Sequence, residues 1–234
     1  MRLSPITNWT LVCLGFLYLS VAADHDISAT INLRVEGETS TIFEGRITTK
    51  AHDVTTAQGG THKCDGTNKG KHPTAGPTLT GALDDAAKLE GFTWDGPWSS
   101  EYEDYYITRI GGSENSSPKF WGLLKGYEFI TVGGCQERVS DGDQFLIAYE
   151  ALDTQLYLRL PSVSIYTKMG KPVIITVTNG TAQTPVSGAT VDGQTTDADG
   201  KVTLIFNSIG FRELKAEKLN AIRSNAIMIF VGGY

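Results

Sequence analysis

The run Phe120-Trp-Gly-Leu-Leu-Lys-Gly-Tyr-Glu-Phe129, followed by Asp141-Gly-Asp-Gln-Phe-Leu-Ile-Ala-Tyr149, most constrains what this chain can fold into. A Trp-Gly strand leads into a short strand ending in Tyr127 and Phe129. The Asp141-Gly142-Asp143 turn then launches another apolar strand.

Upstream, Ile27, Ala29, Ile31, Leu33 and Val35 alternate with Ser28, Thr30, Asn32, Arg34 and Glu36. That period of two predicts a strand with one buried face. Gly37-Glu38-Thr39 turns the chain into a second extended segment carrying Ile42, Phe43 and Ile47, so the pair reads as a hairpin. Residues 55–77 are rich in Gly, Thr, Lys and Pro, which predicts a long polar loop with Cys64 in its middle. Leu79, Ala82, Leu83 and Ala86 follow helical spacing. Thr78 or Thr80 can cap the helix start, Asp84 can pair with Lys88, and Gly91 can end it. Tyr105–Ile110, Phe120–Thr131 and Gln144–Ala151 are the next extended segments. A hairpin, a helix and then strands predict one sheet covering one helix, an α+β, β-grasp-like domain over residues 24–160.

From Pro161 the texture changes. Strands 173–178, 202–206, 211–216 and 226–231 are separated by turn dipeptides such as Asn179-Gly180, Asp192-Gly193 and Asp199-Gly200. Short strands at this spacing predict an all-β second domain over residues 161–234, a small immunoglobulin-like β-sandwich. Leu156–Leu160 can serve either domain.

Residues 1–23 read as a secretory signal: Arg2, an apolar core from Leu11 to Val21, and small residues before Asp24. That core is about half the ~20 residues a bilayer span needs. The apolar run 226–231 is too short for a lipid-anchor tail, so no membrane anchor is expected. Losing Arg2 moves the net charge from −6 to −7. Such a surface argues against nucleic acid, which needs a Lys/Arg footprint. Cys13 leaves with the signal, and two cysteines in an oxidising compartment predict one disulfide, Cys64–Cys135. Asn115-Ser-Ser and Asn179-Gly-Thr are glycosylation sequons.

The first domain resembles the C-terminal domain of transcobalamin-like proteins across roughly residues 28–158. The residues that carry it are ALDDAAKLEGFTW, YITRIGG, FWGLLKGYEF and VSDGDQFLIAY, with INLRVEG and TIFEGRITT at the start. In the vitamin carriers this module helps cover a corrinoid held mainly by a separate helical domain, which has no counterpart here. HDVTTAQGGTHKCDG departs from the carrier pattern. The tail resembles bacterial-type immunoglobulin-like repeats through PVSGATV and TTDADGKV, a resemblance that implies a spacer, stalk or docking module.

Each candidate site has a simpler reading beside it. Asp197-Ala-Asp-Gly opens like a calcium loop, but the twelfth position is Ser208 rather than Glu, so a hairpin turn is expected. His52, His62, Cys64 and His72 match no usual zinc spacing, and a thiolate ligand competes with the disulfide. No metal and no cofactor are expected. Phe92, Trp94, Trp98, Tyr102, Tyr105 and Tyr106 crowd one acidic segment. Some of these rings must fill core, but exposed ones offer flat area for a sugar, a corrin-like ring or a partner protein. Glu101 and Asp104 could serve as a glycosidase carboxylate pair. No Gly-x-Ser-x-Gly elbow, phosphate loop or His-Glu-x-x-His pair is present. The expectation is therefore a secreted, non-enzymatic binding or surface-associated protein. Its ligand is extracellular, a glycan or a surface protein, contacted through Trp94, Trp98, Tyr102 and Tyr106. The alternatives are a small-molecule (corrinoid-like) carrier module and a carbohydrate-active enzyme.

Overall fold

A computed structural model describes residues 27–152, 154 and 156–233, so the expected signal at 1–23 lies outside the described residues. The alternating segment forms strand Ser28–Glu36 within a five-stranded sheet. It pairs antiparallel with Thr41–Lys50 and parallel with Gln144–Tyr149. Beyond Gln144–Tyr149 lie Trp121–Lys125 and the short edge strand Glu128–Phe129. A parallel pair needs a long crossover, and the helix Leu79–Glu90 lies within it. The Thr78 hydroxyl caps the helix by accepting from Gly81 N at 3.2 Å. Gly91 closes it in the left-handed conformation, φ 75°. Lys88 meets Asp84 at 2.5 Å one turn away. Leu79, Ala82, Leu83 and Ala86 are wholly buried and, with Ile31, Leu33, Val35, Phe43, Ile47, Phe145 and Ile147, form the first core. Burying each such leucine is worth roughly 1.5–3 kcal/mol.

The structure departs from the expected loop at 55–77. His52–Thr56 and Gly60–Cys64 form a hairpin, and the chain is irregular only after Cys64, apart from a 3₁₀ turn at Asn68–Gly70. The polar composition hid this strand pair because Val54 and Cys64 are its only apolar residues turned into the core. Nor is Tyr105–Ile110 one strand. Asp104–Tyr105 pairs with Trp98–Ser99, and Arg109–Ile110 pairs with Trp94–Asp95. Pro97, which has no N–H, interrupts the ladder opposite.

In residues 156–233 short strands enclose a second core that includes Leu158, Leu160, Ile175, Val177, Leu204, Phe206, Ile229 and Val231. Leu158–Arg159 pairs with Thr178–Asn179, so this segment serves the later strands. The last strand, Ile227–Gly232, is not buried throughout. Ile227, Ile229 and Val231 face in, while Met228 and Phe230 face out.

A third cluster joins the two cores. Leu124, Leu146 and Ala148 from the first sheet's other face, with Ala151 in the turn that follows it, pack against Tyr157 and Ile222. One end of that sheet is therefore covered on both faces, which corrects the expectation of a single buried face. Residues 33–36 are all buried, Arg34 and Glu36 included. Glu36, 1% exposed, bonds Lys215 at 2.6 Å and Arg223 at 2.9 Å, with Arg34 at 3.8 Å. Lys215 also reaches Glu44 at 2.6 Å. A buried carboxylate is tolerable because cations from both segments compensate it. Among the described residues no helix is long and apolar enough to cross a membrane.

Candidate functional site

The aromatic segment after the helix is pinned from several directions. Cys64 and Cys135 are bonded, S–S 2.06 Å, closing a sequence separation of 71 residues. The Asp104 carboxylate accepts from Cys135 N at 3.1 Å and from Tyr105 N at 2.8 Å. Gly133 lies so close to this carboxylate that a Cβ there would collide with Asp104 Oδ2. Buried Asn68 donates to Lys63 O and Glu103 O, fastening the irregular stretch to the turn before Asp104. Gln136 Nε2 donates to Tyr102 O at 2.8 Å. The Tyr105 hydroxyl donates to Val54 O and Gly60 O at 2.6 and 2.8 Å, and burial pushes its pKa up to about 12.

Within this frame the aromatic residues separate into two groups. Trp94 is 8% exposed and lies in the core, its indole N–H donating to Asp84 Oδ1 at 3.2 Å. Trp94 and Trp98 both meet Tyr105 edge-on, at 5.7 and 4.9 Å. Half-buried Trp98 stacks its other face on His62, with centroids 4.2 Å apart and planes 5° from parallel. Tyr102 and Tyr106, 62% and 55% exposed, face solvent. The predicted contact residues therefore comprise one buried indole, one half-covered indole and two open phenols on a single braced segment.

The two carboxylates named from the sequence sit in different settings. Glu101 is exposed on the turn, whereas Asp104 is buried and occupied by backbone N–H groups. Burial pushes the Asp104 pKa up to about 7 despite those donors. A carboxyl whose pKa is higher folded than unfolded takes up a proton on folding. Its contribution is fully present below the unfolded value near 4 and is lost as pH rises through about 7. Three pKa units correspond to about 4 kcal/mol at most. Asp104→Asn should flatten the fall in stability between pH 5 and pH 8 relative to the parent, read as urea midpoints; an unchanged slope would remove Asp104 as its source.

The imagined zinc set does not assemble. Cys64 is in the disulfide, and His62 is spent on Trp98 and on Gly59 O, 2.9 Å from its Nε2. His52 instead meets Asp84 at 3.4 Å and Asp85 at 3.8 Å, a grouping that could offer three ligand atoms. Its members already satisfy one another. His52 Nδ1 sits 2.8 Å from Lys50 O, and Asp84 also holds Lys88 and Trp94. The hydrogen bond to Asp84 raises the His52 pKa. Burial alone would raise that of Asp84, but His52 and Lys88 outweigh it and hold it low.

At the sequons, Asn115 Nδ2 donates to Ile107 O at 2.9 Å while Oδ1 accepts from Trp121 N. Asn179 Oδ1 accepts from Thr181 N at 3.0 Å. Sequence reasoning missed an exposed aromatic row on the later strands. Tyr166, Phe230 and Phe211 lie directly opposite one another across three strands, with centroids 5.5 and 5.0 Å apart. Alternation in Ile227–Val231 was the available signal, since every second residue must face away from the core.

No family model matches the chain, and no curated protein does. Among solved structures it is similar to haptocorrin, crystallised in complex with Cbi, at 18% identity and a TM-score of 0.34 over 53% of this chain. The match spans only 25% of haptocorrin's length. It is also similar to a candidate metal-binding protein from Ruminococcus gnavus ATCC 29149, at 18% identity and a TM-score of 0.31, over 52% of this chain and 95% of that one. At these scores neither neighbour assigns a family to the chain.

Proposed function

We propose that this protein is a secreted, non-catalytic binding module in which a β-grasp-like domain, residues 24–160, is followed by an immunoglobulin-like sandwich, residues 161–234. Its ligand is extracellular, a glycan or a surface protein, and its contact surface is the braced aromatic segment. The observation that supports this most is the combination of two open phenols, Tyr102 and Tyr106, with a backbone held by a disulfide, Asn68, Asp104 and Gln136. A surface already ordered before contact loses little entropy on binding. Trp98 adds a half-buried ring stacked on His62, and Trp94 acts from beneath as packing. Secretion brings Asn115 and Asn179 to the glycosylation machinery before folding closes the Asn115 amide into its bonds with Ile107 and Trp121.

The test is a glycan array carrying neutral oligosaccharides, with intact cells as the second probe. Tyr102→Ser combined with Tyr106→Ser should lower retention about tenfold, the loss of one or two buried aromatic contacts, with an unchanged thermal melt. Full retention by that variant overturns the proposal. So does a loss that appears only in Phe211→Ser with Phe230→Ser, which moves the contact to the later strands. Release of reducing sugar by the purified protein would replace binding with hydrolysis.

A further inference from the structure

The first sheet's outer face is covered at one end only. Where the cover stops, a cleft of about 740 Å³ opens between that face and the segments around Arg159–Ser164 and Asn225–Met228. Its floor is set by strand register. Arg46 lies opposite Asn32, and Asn32 lies opposite Gln144, so the three side chains emerge in a row on one face. Adjacent strands are about 4.8 Å apart, which makes the row roughly 10 Å long, the reach of two linked pyranose rings. All three residues are exposed.

The charge of this cleft is opposite to that of the chain, whose formal net charge is −6. Three arginines line it, Arg34, Arg46 and Arg159, against one acidic residue, Glu44. Glu44 is already engaged: it holds Lys215 at 2.6 Å and accepts from Ala226 N at 2.8 Å. Arg34 is buried and fixed, donating to Arg223 O at 3.1 Å and lying 6.0 Å from the Tyr127 ring centre. Among the described residues Arg46 and Arg159 have no acidic partner, and the side-chain amides of Asn32 and Gln144 have no hydrogen-bond partner. Guanidinium groups bind planar anions through paired N–H donors. Free amides both donate and accept, as sugar hydroxyls require. A concave, locally positive site on an acidic surface also concentrates anions at short range.

We propose that this cleft binds an acidic saccharide bearing carboxylate or sulfate groups. Arg46 and Arg159 hold the anionic groups, and Asn32 and Gln144 hold the hydroxyls between them. The site is separate from the Trp98–Tyr106 segment and does not depend on it.

Titration calorimetry of the whole protein tests this with an oligogalacturonate hexamer as the carboxylate probe and a heparin-derived hexasaccharide as the sulfate probe. Maltohexaose is the neutral control, and inorganic sulfate is the bare-anion control. At least one acidic saccharide should bind, the better of the two identifying the anion, with affinity falling as salt rises. Arg46→Gln with Arg159→Gln should weaken it about tenfold or more, the loss of charge-assisted bonds, with the melt unchanged because neither side chain supports the fold. Gln144→Ala should weaken the saccharide severalfold. The proposal is overturned if neither acidic saccharide binds, if maltohexaose binds equally well, or if the double arginine variant binds like the parent. It is also overturned if inorganic sulfate displaces the saccharide at matched concentration. Tyr102→Ser should leave this binding untouched, which keeps the test independent of the aromatic surface.

Discussion

Replacing Glu36 with alanine is expected to cost about 3–5 kcal/mol of stability, the range for removing one partner from a buried ion network. Glu36 is 1% exposed and is reached by Lys215, Arg223 and Arg34. Thr41 also donates to it at 3.0 Å. Its removal leaves Lys215 with Glu44 and the Thr41 hydroxyl, and Arg223 with the Gly37 carbonyl oxygen. Because the anion comes from Ser28–Glu36 and two of its cations from the last fifth of the chain, the loss should loosen the junction between the first and second cores. Urea unfolding at pH 7 measures it. Glu36→Gln, which keeps the volume and some hydrogen bonds, should cost less than Glu36→Ala. A change below about 1 kcal/mol, the size of an exposed pair, would show that the network does not hold the junction. Restoring neutrality with Glu36→Leu, Lys215→Met and Arg223→Met should recover much of the loss, since well-packed apolar groups can replace a buried ion set.

Opening the disulfide should have a comparable effect by a different route. A link closing 71 residues removes about 4–5 kcal/mol of chain entropy from the unfolded state on the loop-closure account. Cys64→Ala with Cys135→Ala should lower stability by about that much. It should also mobilise the segment around Tyr102, because Asp104 depends on Cys135 N and the irregular stretch after Cys64 is tied to Glu103. Proteolysis should then cut within residues 65–77 or 99–104 before it cuts elsewhere. If reductant leaves the melt unchanged, the bond contributes nothing to the fold and the rigidity assigned to the aromatic surface fails with it.

Much of the local structure could be read in advance where one periodicity dominated. The strand at 28–36, the helix with Thr78, Lys88 and Gly91 in their expected roles, and the Cys64–Cys135 pair all derive from near neighbours or from the only two cysteines among the described residues. The hairpin at 52–64 was not legible because its stabilising partners are backbone groups and the Tyr105 hydroxyl. Neither residue type nor spacing records those contacts. The aromatic cluster was visible as composition, but its division into buried Trp94 and open Tyr102 and Tyr106 depends on which way each short strand faces.

Alternation alone settles that side chains 32, 34 and 36 share one face, because a strand turns each successive residue to the opposite side. What meets that face is decided by residues far along the chain. Tyr157, Lys215, Ile222 and Arg223 close over one end, bury Arg34 and Glu36 and leave Asn32 in an open cleft. Backbone geometry is inherited from neighbours. Burial, and with it the energy and chemistry of a charge, comes from whatever the folded chain brings against it.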